Sequence, residues 1–369
     1  MKFISKIAVL LLITVFCSFG TYVFAEETAA QAPQEWVDEY VEKFPNSEVA
    51  IKLRYPDMPN DWSTDALVKA VQNGLLNGSD GHILPNDPLT RAQLATILVR
   101  AFGATVSADL LGFTDISTDA WYYDYMAKSV AMGIFRGDGS GKIRPDDSIT
   151  RQEAFTVISR AFDITGADAS VLAGFPDGSL VADWASDATA SLISNGYVNG
   201  SDGYINPDNS ITRAEFAQIM KNLVGAYITE PGTYTELPEG SIVIRVPGVV
   251  LDGITLTGNL YIGEGVGDSI TLSNVSSDHR VVIRGGKSAV LTGNYNVVSV
   301  VGKGLTVNIS GANVKSHSSS EDSVIISSPG AATPGWGNID NTGEKENNSA
   351  SNPVLPEDKD GDGWIDGWY

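Results

Sequence analysis

The sequence is poor in cysteine and histidine. Its 369 residues contain one cysteine, Cys17, and three histidines, His82, His279 and His317, which are far apart in the chain. A single thiol excludes a fold held by intramolecular disulfides. Isolated histidines give no zinc-binding spacing, and no nucleophile motif accompanies them. Stability must therefore come from core packing, with or without a bound metal.

Basic residues are also scarce. The chain has 24 Lys and Arg against 45 Asp and Glu, which gives a formal net charge of -21 at pH 7. Such an excess of acid repels polyanions. We therefore expect neither nucleic acid nor an anionic lipid surface as a general partner.

Long apolar runs are absent beyond the N-terminus. Two lysines precede the apolar stretch Ile7–Phe16, and Val23 and Ala25 occupy the small-residue positions of a cleavage site. This order predicts a secretory signal peptide over residues 1–25. The apolar stretch is shorter than the roughly 20 residues that a membrane span needs, so cleavage is favoured over an uncleaved anchor. A lipoprotein role for Cys17 is disfavoured, because bulky Phe16 precedes it.

The most informative feature is an internal repeat. The segments "LLNGSDGHILPNDPLTRAQL", "IFRGDGSGKIRPDDSITRQEA" and "YVNGSDGYINPDNSITRAEF" align at Arg91, Arg151 and Arg213. An aromatic start, "DMPNDW", "DISTDAW" or "DGSLVADW", precedes a helix-like stretch in each copy. Each repeat thus predicts a helix, a loop rich in Gly, Asp and Pro, and a second helix. The copies should pack on one another, since one helix pair cannot bury its apolar face alone.

The start of each second helix carries a capping box. Thr90, Thr150 and Thr212 are each followed three residues later by Gln93, Glu153 and Glu215, respectively. This pattern satisfies backbone N–H groups at a helix start. In the third copy one apolar face follows, formed by Phe216, Ile219, Met220, Leu223 and Val224.

The arginine of the same motif is unexpected. Arg91, Arg151 and Arg213 occupy the first helical position, where an unpaired cation is disfavoured by up to about 1 kcal/mol by the helix dipole. In one hypothesis each arginine pairs with a nearby acid and ties neighbouring repeats together. In the other, each arginine and the free N–H donors beside it hold an anionic group of an outside ligand.

The three copies resemble S-layer homology repeats. The resemblance rests on the Asp and Trp of the aromatic starts, the Gly-x-x-x-Gly turns, the loop prolines and the Thr-Arg helix starts, over about 170 residues. It implies a three-repeat helical pseudo-trimer that anchors a secreted protein non-covalently to a bacterial cell wall. The implied ligand is an anionic, pyruvylated secondary wall polysaccharide.

The resemblance also assigns candidate binding residues. Arg91, Arg151 and Arg213 would recognise the anionic group in grooves between repeats. Three indoles would line the grooves or, alternatively, belong to the core: Trp62, Trp121 and Trp184. Three turn glycines would let the ligand approach the protein backbone closely or, alternatively, serve turns with positive φ: Gly78, Gly137 and Gly200.

Residues 227–315 change character. Short β-branched runs such as "IVIRV", "ITLTG" and "VVIRGG" are broken by Gly, Asn and Asp. They predict an all-β module, and their close spacing favours a short right-handed parallel β-helix over a sandwich. Because many β-helices are polysaccharide lyases, a wall-anchored enzyme is the rival hypothesis. The basic residues Arg245, Arg280, Arg284 and Lys287 are interpreted as solvated surface rather than a catalytic set, so we expect no enzyme.

The C-terminal tail carries a partial calcium loop. Asp358, Asp360, Asp362, Asp366 and the carbonyl of Trp364 have the spacing that wraps oxygens around a hard cation. The position for a bidentate Glu holds Tyr369, so the alternative is an acidic terminus without metal. Calcium is the one cofactor that the sequence suggests.

These observations predict a multidomain protein of the cell surface that has no membrane span in its mature chain and is capable of self-assembly. Its predicted parts are a signal peptide (1–25), an acidic segment (26–56), three repeats (57–112, 113–174 and 175–226), the β-module (227–315), a flexible linker (316–357) and the calcium-loop-like tail (358–369).

Overall fold

The structure is a computed structural model that describes residues 34–320 and 322–327. The predicted signal peptide and tail lie outside these residues. The described chain divides into two compact units between Asn86 and Asp87. Its helices are α1 Gln34–Lys43, α2 Glu48–Arg54, α3 Thr64–Gln72, α4 Arg91–Phe102, α5 Tyr123–Ala131, α6 Arg151–Phe162, α7 Asp183–Ser194 and α8 Arg213–Leu223. Short 3-10 turns cover Ala169–Gly174, Gly178–Leu180 and Glu264–Val266.

The repeats have the predicted helix, loop and helix organisation. Helices α4, α6 and α8 start at the three motif arginines, and the capping boxes of Thr90, Thr150 and Thr212 are all formed. The apolar face predicted for α8 is buried, including Phe216 and Leu223. Local sequence signals therefore specify where these helices begin and which side faces the core.

A closed ring of backbone hydrogen bonds joins the three repeat loops. The N–H of Leu89 donates to the carbonyl of Ile211, that of Ile211 to Ile149, and that of Ile149 to Leu89, at 2.9, 3.1 and 3.0 Å. All three side chains are buried. Each repeat donates one hydrogen bond to one neighbour and accepts one from the other. The ring of hydrogen bonds therefore joins the three repeat loops in a pseudo-threefold arrangement.

The C-terminal part is a parallel β-solenoid of about six turns, as predicted. Its strands are β1 Ala226–Ile228, β2 Gly232–Tyr234, β3 Ile242–Ile244, β4 Val249–Asp252, β5 Thr255–Leu256, β6 Leu260–Ile262, β7 Ser269–Ile283, β8 Ser288–Val300, β9 Thr306–Ser319 and β10 Val324–Ile326. Every strand pairing is parallel. The first residues of the predicted linker thus belong to β9 and β10.

The solenoid core is a stack of inward aliphatic side chains. In one inward column, Val249, Ile270, Ala289 and Val307 are all buried, and successive strands bring them into register. Alternate residues of each strand face outward, as the two-residue period of a strand requires. The β-branched runs read from the sequence supply these inward columns.

One side of the solenoid packs against the ends of the repeat helices. The ring of Tyr261 on β6 contacts that of Phe162 at the end of α6, with 4.9 Å between ring centroids. Gly103, after α4, lies so close to the solenoid that an added Cβ would meet the Arg245 carbonyl oxygen at 2.5 Å. The β-module is therefore seated directly on the repeats.

Three arginines of the solenoid cap helix C-termini. Arg245 donates to the carbonyl of Arg100 at 3.0 Å, and Arg284 donates to those of Arg160 and Met132 at 3.1 and 2.8 Å. Arg280 binds the carboxylate of Asp163 at 2.8 Å. The interpretation of Arg245, Arg280 and Arg284 as solvated surface is wrong, because cations are favoured at the carbonyl end of a helix.

Lys287 is the exception in this basic set. It is largely exposed and pairs with Asp268 at 2.6 Å.

In the part of the chain that the structure describes, no helix has the length and apolarity needed to cross a membrane.

Candidate functional site

The first candidate arginine, Arg91, is buried between the first two repeats. Only 1% of its surface is exposed. Its Nε donates to the Ile143 carbonyl at 3.0 Å, and Nη1 lies 3.2 Å from Oε1 of Glu153. Burial lowers the pKa of the Arg91 guanidinium, and the Glu153 carboxylate opposes that effect. Arg91 thus joins the first repeat to the capping glutamate of the second.

Arg151 repeats this arrangement between the second and third repeats. Its Nε donates to the Ile205 carbonyl at 2.7 Å, and Nη1 lies 2.5 Å from Oε1 of Glu215. The guanidinium also lies over the ring of Phe155, 5.3 Å from its centroid. Arg213 is likewise buried at the start of α8.

The N–H donors at these helix starts are not free. The first N–H of α4, that of Arg91, donates to the Asp147 carbonyl at 3.0 Å, and the second, that of Ala92, donates to the Pro145 carbonyl at 2.9 Å. In α6 and α8 the first N–H groups donate to the carbonyls of Asn209 and Asp87. The expectation of open anion-binding donors there is wrong, because loop carbonyls of neighbouring repeats already accept these bonds.

The two described junctions differ in charge. Glu153 also accepts a bond from Nη2 of Arg144 at 3.2 Å, so two guanidinium groups share one carboxylate oxygen. The third repeat has Asn206, directly after Ile205, at the position that Arg144 occupies in the second repeat. Arg144 and Asn206 both have positive φ. The junctions are therefore unequal although their arginines are arranged alike.

Sequence reasoning missed one set of polar residues, the aspartates that open the aromatic starts. The carboxylate of Asp57 accepts two backbone N–H bonds at 2.8 Å, from Ile83 and Leu84. Asp115 and Asp177 bind the matching loops in the same way, with bonds of 2.7 to 3.2 Å. The signal was an Asp at the same place in each copy, and its partners lie nearly 30 residues away.

The candidate tryptophans have different surroundings. Trp62 and Trp121 are 60% and 61% exposed, so neither is a core residue, whereas Trp184 is half-buried. Trp121 packs edge-on against Tyr122, with 5.3 Å between centroids, and the Tyr122 hydroxyl donates to Asp146 at 2.8 Å. An exposed indole presents an apolar face and a polar edge to the solvent.

The candidate glycines are explained by packing. A Cβ on Gly78 would lie 2.3 Å from the ring of Tyr55, and one on Gly137 would lie 2.4 Å from the ring of Phe113. At Gly200 a Cβ would approach the Tyr204 carbonyl oxygen at 2.6 Å, and φ is +78°. The close approach that requires glycine is thus made by the protein's own aromatic rings and loop carbonyls.

The candidate calcium residues Asp358, Asp360, Asp362, Trp364 and Asp366 lie outside the described residues. Within residues 34–320 and 322–327, no group of three or more His, Cys, Asp or Glu side chains is arranged to hold a metal ion.

Comparison with known families matches the repeats to the S-layer homology domain, at residues 54–95, 112–155 and 171–217. Among curated relatives, the surface-layer 125 kDa protein of Lysinibacillus sphaericus is 32% identical over 168 residues, covering 44% of this chain and 14% of the relative. The S-layer protein of Bacillus licheniformis is 25% identical over 243 residues, covering 64% and 26%. The amylopullulanase of Thermoanaerobacterium thermosulfurigenes is 28% identical over 175 residues, covering 46% and 9%.

The chain therefore carries three S-layer homology domains followed by a β-solenoid. The chain spans about a quarter or less of the length of these three relatives. The domains and the S-layer relatives together indicate a secreted protein anchored at the bacterial cell wall.

Proposed function

We propose that the three repeats anchor the protein by binding an anionic secondary polysaccharide of the cell wall. The observation that carries this proposal is the exposure of Trp62 and Trp121 on a chain with three S-layer homology domains. An indole suits the C–H face of a sugar ring, and its N–H can donate a hydrogen bond to a sugar hydroxyl. A glycan is thus the partner that best explains them.

The candidate residues differ in burial, which gives them different roles in this proposal. The guanidinium groups of Arg91 and Arg151 are bound by protein acceptors, so in this proposal they position the loops beside the ligand. Trp62, Trp121 and the half-buried Trp184 contact the sugar. Direct contact by Arg91, Arg151 or Arg213 with the anionic group stays a prediction, and it requires the guanidinium groups to exchange partners.

Charge makes the interaction short-ranged. A chain of net charge -21 repels an anionic polymer at a distance, but that repulsion is screened beyond about 8–10 Å at physiological salt. We expect the affinity of the protein for the wall to rise between low and physiological salt. Binding that weakens steadily with salt would instead indicate attraction by a basic surface.

The proposal is tested by sedimenting the full chain with purified wall sacculi. We expect retention before the secondary polymer is extracted and release afterwards. Trp121→Ala should weaken retention while leaving the melting temperature nearly unchanged, because the indole is mostly outside the core. Trp121→Phe is the matched variant that keeps an aromatic face, and it should retain more binding than Ala.

We further propose that the solenoid is structural and not catalytic. Arg245, Arg280 and Arg284 are engaged at the helix ends, which leaves them unsuited to neutralise the carboxylates of a uronate substrate. Incubation of the full chain with uronate polymers should give no rise in ultraviolet absorbance from unsaturated products. A sustained rise would establish the lyase alternative, which the carbohydrate-active relatives keep open.

Calcium binding by the tail remains a proposal that rests on the spacing of its aspartates alone. Weak binding, with a dissociation constant of roughly 0.1–1 mM, is expected for an extracellular loop of this kind. Calorimetry should detect heat with the full chain and none after removal of residues 358–369. Equal heats from the two proteins would refute the site.

A further inference from the structure

The turns of the first and third repeats share an identical pentapeptide. The sequence Asn-Gly-Ser-Asp-Gly occupies residues 77–81 and again residues 199–203. In an Asn-Gly pair the next backbone nitrogen reaches the asparagine side chain most readily, because glycine has no side chain to obstruct the approach. The second repeat has Arg136 in place of the asparagine. The other two turns form a matched pair, so a difference in their reactivity has to come from the fold.

The glycine N–H of this pair is held in the first repeat. The backbone N–H of Gly78 donates to the hydroxyl of Tyr55 at 3.2 Å. Tyr55 is buried, and its ring packs against the same glycine. The Gly78 nitrogen must break this hydrogen bond before it can lose its proton and attack the side chain of Asn77.

The corresponding N–H is open in the third repeat. Phe175 stands where the first repeat has Tyr55, two residues before the loop-binding aspartate in both copies. A Cβ on Gly200 would lie 3.1 Å from the Phe175 ring, but this ring carries no hydroxyl. Among the described residues, no group accepts a hydrogen bond from the Gly200 N–H, and the exposed side chain of Asn199 has no partner. The attacking nitrogen and its target are therefore both unengaged.

Two further Asn-Gly pairs follow the C-terminal ends of α3 and α7, and both are held. The Nδ2 of Asn73 donates to the Lys69 carbonyl at 2.8 Å, and that of Asn195 donates to the Ser191 carbonyl at 2.7 Å. The N–H groups of the glycines that follow donate to carbonyls of the preceding helical turn, both at 2.9 Å. Neither pair is poised to react.

We propose that Asn199 is a site of spontaneous deamidation, selected by the fold over the other three Asn-Gly pairs. The Gly200 nitrogen loses its proton to a base in solution and attacks Cγ of Asn199. A C–N bond forms and closes a succinimide ring, while the bond from Cγ to the amide nitrogen breaks and that nitrogen leaves as ammonia. Water then opens the ring at either carbonyl and yields aspartate or isoaspartate. One water is consumed, one ammonia is released, and nothing is oxidised or reduced.

The modification changes both charge and backbone. A neutral amide becomes a carboxylate, so the turn of the third repeat becomes more acidic than that of the first as the protein ages. In the isoaspartate form the chain runs through Cγ, which adds one backbone atom before Gly200. A Cβ on Gly200 would already lie 2.6 Å from the Tyr204 carbonyl oxygen, so the turn has to shift to admit that atom. This inference is independent of the wall ligand.

The test follows deamidation of the folded full chain in mildly alkaline buffer. Digestion at acidic pH and tandem mass spectrometry assign aspartate and isoaspartate to individual asparagines. Asn199 should deamidate at least about fivefold faster than Asn77, which is the factor that one hydrogen bond of about 1 kcal/mol supplies. Equal rates at the two sites, or faster loss of Asn77, would overturn the proposal.

Two reciprocal substitutions identify the cause of the difference. Tyr55→Phe removes the hydroxyl that holds Gly78, and it should raise the rate at Asn77 while leaving Asn199 unchanged. Phe175→Tyr supplies a hydroxyl at the equivalent position, and it should slow Asn199 while leaving Asn77 unchanged. A rate at Asn77 that does not rise in a folded Tyr55→Phe variant would overturn the proposal.

Folding and local sequence are controlled in the same experiment. In guanidinium chloride Asn77 and Asn199 should deamidate at similar rates, because the unfolded turns share one pentapeptide. A preference for Asn199 that persists in the unfolded chain would refute the structural cause. If Tyr55→Phe lowers the melting temperature, Phe175→Tyr makes the comparison without removing a hydrogen bond, and an unchanged rate at Asn199 in that variant would then overturn the proposal.

Discussion

The guanidinium of Arg91 and the carboxylate of Glu153 meet 3.2 Å apart across the junction of the first two repeats, and both side chains are almost fully buried. Each group belongs to a helix start, Arg91 to α4 and Glu153 to α6. The pair therefore links the capping box of one repeat to the first turn of another.

Removal of Arg91 should destabilise the protein. Arg91→Met leaves a buried carboxylate with one fewer partner, which costs about 3 kcal/mol in the free energy of unfolding. Glu153→Gln acts on the same pair, so the loss in the double variant should be at least about 1 kcal/mol smaller than the sum of the losses in the two single variants. Urea unfolding of the parent, the two single variants and the double variant measures these values. Additive effects would contradict the buried pair.

The aspartates that hold the loops should make stability depend on pH. Burial alone would raise the pKa of Asp57, but the N–H donors of Ile83 and Leu84 outweigh it, so its pKa is lowered. A lowered carboxyl pKa stabilises the fold above the unfolded value of about 3.9, and that stabilisation is lost as pH falls through the lower folded value.

The substitution Asp57→Asn should therefore cost about 1–3 kcal/mol at neutral pH, and its difference from the parent should shrink below about pH 4. Asp119→Asn is the matched control, since Asp119 is exposed and its carboxylate accepts no bond among the described residues. Chemical unfolding at several pH values measures the differences. A deficit that persists unchanged at pH 3 would argue against the carboxylate's role.

The docking of the solenoid on the repeats depends on Arg284. This buried side chain donates to Glu264 and to two helix-end carbonyls. Arg284→Ala leaves these acceptors unpaired and should cost about 3 kcal/mol or more. Lys287→Ala, three residues later, removes an exposed pair and should not change the unfolding midpoint measurably. Similar losses in the two variants would contradict the assigned interface.

A methyl group on a turn glycine should be costly where a ring fills the space. Gly137→Ala brings a Cβ to 2.4 Å from the ring of Phe113 and should destabilise the protein by about 1–3 kcal/mol. Gly174→Ala adds its Cβ where no atom lies within 4 Å and should be nearly neutral. Thermal unfolding distinguishes the two outcomes. A neutral Gly137→Ala variant would reopen the idea that this glycine is reserved for a ligand.

The parts of the fold that sequence predicts are those governed by short spacings. The capping boxes depend on residues three apart, and the solenoid on alternating β-branched runs, so both were visible before the structure. The sequence also left open whether Arg91 pairs with an acid or a ligand. Glu153 is 62 residues away and is one of 45 acidic residues. It could not be identified as the partner of Arg91 without the ring of hydrogen bonds between the repeat loops, which brings the two residues together.

The solenoid interface was beyond the reach of sequence for the same physical reason. Arg245 and Arg284 look like ordinary exposed basic residues, because their acceptors are backbone carbonyls at the ends of distant helices. Any residue can supply such a carbonyl, so no side-chain pattern marks the partner. The exposure of Trp62 and Trp121 could not be predicted from the sequence either, since an aromatic residue in a repeat is as compatible with a core as with a surface.

The most direct test of the account measures retention of the full chain on wall sacculi before and after the secondary polysaccharide is extracted. We expect strong retention on intact sacculi, its loss on extracted sacculi, and weaker retention of a Trp62→Ala/Trp121→Ala variant whose melting temperature matches the parent. Equal retention by bare peptidoglycan would contradict the proposed anchoring partner.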